Sequence, residues 1–197
     1  IEVIIEAAKL LQADPGYHLL FQLIGDGAKR TKLEVMVAEY DLPNVHFLPY
    51  QSMDDLAAML SAADLAIVCL EPEFTGLSVP SKSYGVMACG IPILGLLDPQ
   101  GEIAQTIAEA DCGVILAQPT GENVAQAILD LMANPVRRSQ MGANGRNAFL
   151  TRYTLGQAAQ AYDQALTQMV TLQKSRPQTR FALHESGANG QLESKSH

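Results

Sequence analysis

The residues best suited to chemistry lie between Glu71 and Gly90, in EPEFTGLSVPSKSYGVMACG. The pattern predicts a helix over 80–90, with Pro80 in its first turn and Gly90 at its end, which places Lys82 in that first turn. The positive end of the helix dipole disfavours a cation there, and an anion bound at the same end would remove the conflict. Exposed backbone donors from Gly76, Leu77 and Ser78, the helix start and the Lys82 ammonium would together make a diphosphate pocket without a Walker glycine loop. Gly85, inside the helix, costs about 1 kcal/mol relative to alanine, so some close approach is expected at it. A plainer account of the same residues is a solvated Lys82 and a Gly85 chosen for helix–sheet packing.

A second candidate is the turn Ile24-Gly25-Asp26-Gly27, between an apolar strand pattern and a helical one. Glycines there would let a phosphate approach the backbone, but the run G-D-G-A-K-R lacks the third glycine of a dinucleotide fingerprint, so NAD is disfavoured and a tight turn explains it equally. Glu71 and Glu73 sit at a strand's carboxyl end, where they could address sugar hydroxyls or form an ordinary polar loop. The acidic pairs Glu34/Glu39 and Glu102/Glu109 read as solvated helix faces, and His18 and His46 as structural strand residues. No HExxH, GxSxG or paired-histidine cluster occurs, so metalloprotease and serine-hydrolase chemistry lack support. Cys69, Cys89 and Cys112 are widely spaced among apolar residues and read as reduced core thiols, with no metal site expected.

The elements that would position these groups alternate. Amphipathic helical periods occupy 1–13, 28–40, 53–62, 101–110, 121–133, 136–150 and 155–172, and apolar strand-type runs occupy 18–25, 45–50, 65–70, 91–97 and 113–117. Asp14–Gly16 marks a turn, and Ser52 with Asp55 resembles a capping box for the helix at 53–62. The continuous run LAIVCL (65–70) suggests a strand buried on both faces. Alternation of this kind implies an α/β fold built on a doubly wound, Rossmann-like parallel sheet, whose ligands bind beyond the carboxyl ends of the strands. The net charge of −8, from 13 basic and 21 acidic side chains, argues against a nucleic-acid surface. No apolar run reaches the roughly 20 residues of a membrane span, and no signal peptide opens the sequence, so a cytoplasmic location is expected.

Taken together, LLFQLIGDGAKRTKLEVMVAEYDLPNVHFLPYQSMDDLAAMLSAADLAIVCLEP and GLSVPSKSYGVMACGIPILG resemble the C-terminal, nucleotide-sugar-binding half of group 1 (family 4) glycosyltransferases, particularly bacterial enzymes of the colanic-acid type. The order of G-D-G, V-x-F-x-P, the A-D-L strand, P-S-K and M-A-C-G-x-P carries the resemblance, which spans about residues 1–170. It implies a GT-B architecture and retaining transfer from a UDP- or GDP-sugar, with no metal or other cofactor required. By position, Leu48, Pro49 and Tyr50 would line the base pocket and Gly25 and Gly27 the floor beside the phosphates. Glu73 would lie near the sugar hydroxyls, while Gly76, Leu77, Ser78, Val79 and Lys82 would face sugar and diphosphate, Lys82 and Glu73 serving the transfer step.

The sequence departs from that family in two places. Many relatives have a glutamate, which holds the ribose, at the position of Gly85, and the other member of an E-x7-E pair is replaced by Leu77. Relatives also open this domain with a strand and a basic phosphate-binding turn, preceded by an acceptor domain, whereas Ile1 already falls in the following helix. The expectation is therefore a donor-binding domain over 1–172 lacking its first strand and its acceptor partner, inactive alone, with a disordered tail over 173–197. In the order 3-2-1-4-5-6 the strand in question is central, so the sheet would close over a gap or leave two edges facing each other. Any peripheral membrane association would come through the acceptor half. The alternative is a non-catalytic α/β module scaffolding a polysaccharide-synthesis assembly; a nucleotide-sugar epimerase on the same fold would need an acid–base pair that the sequence does not show.

Overall fold

The computed structural model describes residues 1–13, 16 and 18–175, the last four without their side chains. The expected turn at Asp14 and Pro15 and the tail from 176 onward lie outside the described residues. Within them the alternation is as the apolar spacing predicts: α1 (Glu2–Gln12), β1 (Phe21–Ile24), α2 (Arg30–Glu39), β2 (Val45–Leu48), α3 (Leu56–Ser61), β3 (Ala66–Cys69), α4 (Lys82–Cys89), β4 (Ile93–Leu96), α5 (Glu102–Glu109), β5 (Gly113–Leu116), α6 (Gly121–Ala133), α7 (Pro135–Arg152) and α8 (Leu155–Ser175). A single 3-10 turn, Pro72–Phe74, follows β3. Two compact units divide the chain, Ile1–Ala158 and Ala159–His197; both ladders and α1 to α7 belong to the first.

Among the described residues all strand pairing is parallel, in two ladders. β1 pairs with β2 from Phe21↔Val45 to Ile24↔Leu48, and β4 lies between β3 and β5. The Ala66 and Leu70 N–H groups donate to Pro92 and Leu96. Strand alternation therefore turns the N–H groups of Ile67 and Cys69 to the other side of β3, where no strand pairs with it among the described residues. Phe21 and Gly25 donate to Asn44 and Leu48 in the same way, so β1 also ends its ladder. This corrects the expectation for 65–70: only Val68 of β3 is buried, because β3 has one strand neighbour, and β4, with two, is the strand buried throughout.

Helices cover both faces. On one, α1 packs on α6, and Ile5, Ala8, Val124 and Ile128 join Phe21 and Val45 of the first ladder to Leu94 and Leu96 of the second in one apolar cluster. On the other, Val86 and Met87 of α4 meet Ile93, with Ile103 and Ile107 of α5 and Ala148 of α7. The α4–α7 contact is close enough that a β-carbon at Gly142 would overlap the Gly90 carbonyl. Helix starts are fixed locally: Thr120 and Asn123 form a reciprocal capping box for α6, and Asn134 accepts the Arg137 N–H ahead of Pro135. At α3 the Asp55 N–H does reach the Ser52 hydroxyl, but the Asp55 carboxylate accepts a hydrogen bond from that hydroxyl instead of from the Ser52 backbone, and the helix begins only at Leu56.

Candidate functional site at the carboxyl ends of the strands

The first ladder ends in the glycine turn. Gly25, at φ 108°, donates its N–H to the Leu48 carbonyl at 3.1 Å, and its α-carbon lies against the Tyr50 ring, 3.6 Å from where a β-carbon would stand. The Leu48 carbonyl and the Tyr50 ring are thus brought beside Gly25, and Tyr50 is 76% exposed. Gly27 spends its N–H on the Asp26 carboxylate at 2.8 Å. The residue the sequence reading passed over is Arg30, which donates to the Gly25 carbonyl at 2.6 Å, pairs with Glu34 at 2.8 Å and lies over the Phe47 ring at 5.5 Å. It ties the ends of β1 and β2 together. Adjacent bases directly after a glycine turn were the signal that could have found it.

The second ladder ends in the loop that carries Glu73, Gly76, Leu77, Ser78 and Val79. Here the expected donors are corrected. The N–H groups of Leu77 and Ser78 both donate to the Phe74 carbonyl at 3.0 Å, because Gly76, at φ 79°, turns the chain back on the 3-10 turn. The backbone N–H groups of Gly76 and Val79 accept no such closure and make no hydrogen bond among the described residues, nor does that of Lys82. Lys82 is the first residue of α4, as expected, although Pro80 stands just ahead of the helix, not within it. Its side chain is exposed and makes no hydrogen bond or ion pair among the described residues. Glu73 is exposed too. No close approach demands glycine at position 85: a β-carbon there would stand 3.5 Å from Leu60 of α3, an ordinary contact.

Between this loop and the start of α5 lies a cavity of about 140 Å³. Gly76 to Val79 of the loop and Asp98 and Glu102 near the start of α5 are among the residues that line it. Glu102 is exposed, as expected of a solvated helix face, and also borders this cavity, where Gly101 approaches Thr75. A wider hollow of about 420 Å³ along α7 carries no ionisable group on its lining and is shaped by that helix alone.

A charge network joins the two ladder ends. Lys29, at the start of α2, donates to Glu71 at the end of β3, and also lies 3.6 Å from Glu2, which accepts from Lys32 at 2.9 Å. The hydrogen bond to Glu71 pushes the Lys29 ammonium up, and the same bond pulls the Glu71 carboxyl down. Glu2 is pulled down to about 2, first by Lys32 and then by a backbone N–H. Glu71 is therefore engaged with protein, which separates it from Glu73. Burial raises the thiols of Cys69 and, to about 11, Cys112, so neither is poised as a nucleophile. Among the described residues no group of three or more His, Cys, Asp or Glu could hold a metal ion.

Parallel Rossmann-like ladders flanked by helices, with an open site at the carboxyl ends, define a domain of the GT-B glycosyltransferase class. Residues 1–148 match the family described as glycosyl transferases group 1, and the chain belongs to that family. Over 90 residues it is 34% identical to WcaI of Escherichia coli strain K12, a protein named as a glycosyl transferase of colanic acid biosynthesis, covering 46% of this chain and 21% of that one. Over 143 residues it is 26% identical to a GDP-mannose-dependent phosphatidylinositol monomannoside mannosyltransferase of Corynebacterium glutamicum, covering 70% and 35%. Among solved structures, sucrose-phosphate synthase of Thermosynechococcus elongatus superimposes with a TM-score of 0.68 at 26% identity, over 86% of this chain and 42% of that one. Anabaena HepE in complex with UDP-glucose gives 0.69 at 19% identity, over 85% and 44%, a likeness of fold. In each case the chain spans less than half the length of the protein it matches.

Among the described residues no helix is long and apolar enough to cross a membrane.

Proposed function

We propose that the chain binds a nucleotide-diphosphate sugar, a UDP- or GDP-sugar, as the donor-site domain of a retaining glycosyltransferase in polysaccharide or glycoconjugate synthesis. The base stacks near Tyr50, Leu48 and Pro49, the diphosphate lies between the glycine turn and the start of α4, and the sugar enters the loop 71–81. One observation carries this reading. The N–H groups of Gly76, Val79 and Lys82 and the Lys82 ammonium, none of which has a partner among the described residues, stand in one loop and helix start at the strands' carboxyl ends. Such an arrangement stabilises a departing diphosphate electrostatically. The fold likeness to a protein crystallised with UDP-glucose supports the ligand class. Transfer to an acceptor belongs to whole relatives more than twice as long, so donor binding is what is proposed for this chain, with Glu73 beside the sugar and Lys82 on the diphosphate.

Titration calorimetry with UDP, GDP and their sugars tests this. Saturable heat with one nucleotide series is expected, and Lys82→Ala should weaken it by about tenfold, as loss of a charge-assisted contact does. A folded sample that binds neither series removes the donor site and leaves the non-catalytic module. Affinity unchanged by Lys82→Ala removes that residue's role.

A further inference from the structure

We infer that Arg30 is a positioning residue for the nucleoside end of the site, gripping the glycine turn so that the Tyr50 ring stays where a base can stack on it. The inference rests on the donor-site reading and deepens it. At its two glycines the turn is a support and offers no open donor. The Gly25 N–H goes to the Leu48 carbonyl at 3.1 Å and the Gly27 N–H to the Asp26 carboxylate at 2.8 Å, while the Gly27 carbonyl accepts the Arg30 N–H at 2.9 Å. What rests on the turn is Tyr50. Its Cδ2 and Cε2 lie 3.6 and 3.7 Å from where a Gly25 β-carbon would stand, and the residue is 76% exposed. One edge of the ring is thus seated while most of the side chain faces solvent, which is what a stacking platform requires.

A glycine turn does not hold such a seat unaided. Gly25, at φ 108°, occupies a backbone region that glycine enters freely and leaves as freely, so the shape of the turn is set by what grips it. Arg30 grips it from several sides. Its Nη1 donates to the Gly25 carbonyl at 2.6 Å and to the Leu48 carbonyl at 3.4 Å, so one nitrogen spans the segment that seats the ring and the segment that carries it. Its Nε is fixed by Glu34, one turn along α2, at 2.8 Å, and its Cζ lies 5.5 Å from the centroid of the Phe47 ring. Pro49, with its fixed φ, is all that separates Leu48 from Tyr50, so a restraint on the Leu48 carbonyl is passed to the ring. The compact ammonium of a lysine cannot reproduce this planar fork, which makes Arg30→Lys a disruptive change here despite the retained charge.

The test has a ligand-free arm and a binding arm, both on the 197-residue chain. The chain contains no tryptophan, so Tyr50→Trp supplies a single fluorescent reporter at the seat. Adding Arg30→Met or Arg30→Lys should lower that reporter's fluorescence anisotropy, with circular dichroism confirming that each variant is folded. Calorimetry with UDP and GDP reads the consequence. Arg30→Met and Tyr50→Ala should each weaken the preferred nucleotide by about fivefold, the low end of what a base stacked on an aromatic ring contributes. Arg30→Lys should follow Arg30→Met. Combining Arg30→Met with Tyr50→Ala should leave affinity within about twofold of Tyr50→Ala alone, because Arg30 acts through the ring, whereas a general loosening of the fold would add its own loss. Additive losses, or an anisotropy that both Arg30 variants leave unchanged, overturn the positioning role and leave the donor site standing. Failure of both nucleotides to bind the unmodified chain overturns the donor site and the nucleoside role together.

Discussion

In the β3-β4-β5 ladder all four residues of β4 are buried, whereas in the β1-β2 ladder only Phe21 and Val45 are. Position in the order explains the contrast. β4 has a strand on each side and helices over both faces, while β1 and β2 lean on α1 and the remainder of one apolar cluster. The glycines follow the same division. At Gly113 in β5, a β-carbon would overlap the Ile93 carbonyl and press within 2.9 Å of Ile107, but at Gly27 in the first ladder's turn it would meet nothing within 4 Å. The three-stranded half is therefore the more tightly packed of the two, and the two-stranded half the more open.

The largest test of that contrast is glycine replacement. Gly113→Ala should cost about 3 kcal/mol or more, because overpacking against a carbonyl cannot be relieved by rotating a side chain, while Gly27→Ala should stay within about 0.5 kcal/mol. Urea denaturation of both variants decides it, and equal losses would abolish the distinction. Truncation comes next. Ile93→Ala, at a position with no exposure, should cost about 2–5 kcal/mol, and Ile24→Ala, 36% exposed at the end of β1, less than about 1 kcal/mol. Smaller again is the cap of α6, which packs on α1 and so serves both halves: Thr120→Ala should cost about 1 kcal/mol.

How much of this was legible depends on which forces a residue type reports. Apolar spacing reports burial, so IPILGLL announced a strand and the β–α alternation announced the α/β class, but not that this strand would be the one with a neighbour on each side. Strand neighbours do not show in local composition, and LAIVCL looked as buried as IPILGLL although β3 closes its ladder on one side. Loop hydrogen bonds were hidden for a related reason. The left-handed turn at Gly76, not the identity of Leu77 or Ser78, sends their N–H groups to Phe74 and leaves those of Gly76 and Val79 open. Glu102 was read as solvated because helical period places it opposite Ile103 and Ile107, and it is exposed while they are buried. Lys29 and Arg30 were readable by the same helix-start argument that found Lys82.

The smallest expected effect concerns the charges that link the two halves, Lys29 after β1 reaching Glu71 after β3, with Glu2 and Lys32 completing the network. Glu2 is held at about 2 against an ordinary value of 4.5. A carboxyl with a depressed folded value adds stability that is fully present above its unfolded value and is lost as pH falls through the folded one. Glu2 should therefore contribute above about pH 4.5 and lose that contribution down to about pH 2, with Glu71 changing in the same direction. Lys29, raised by Glu71, has the opposite sense: its contribution holds below the ordinary lysine value of 10.5 and disappears as pH rises through the higher folded one. Since these side chains are largely exposed, salt should screen them, and the acid limb should flatten in about 1 M NaCl, where the Debye length is roughly 3 Å. Lys32→Met removes the hydrogen bond that acts most on Glu2, so denaturation midpoints measured from pH 5 to pH 2 should fall less steeply in the variant than in the unmodified chain. Parallel acid limbs would mean that the two halves are joined by their shared apolar cluster alone, and that the ion pairs at the strand ends are free to be exchanged for a ligand's phosphates at no cost to the fold.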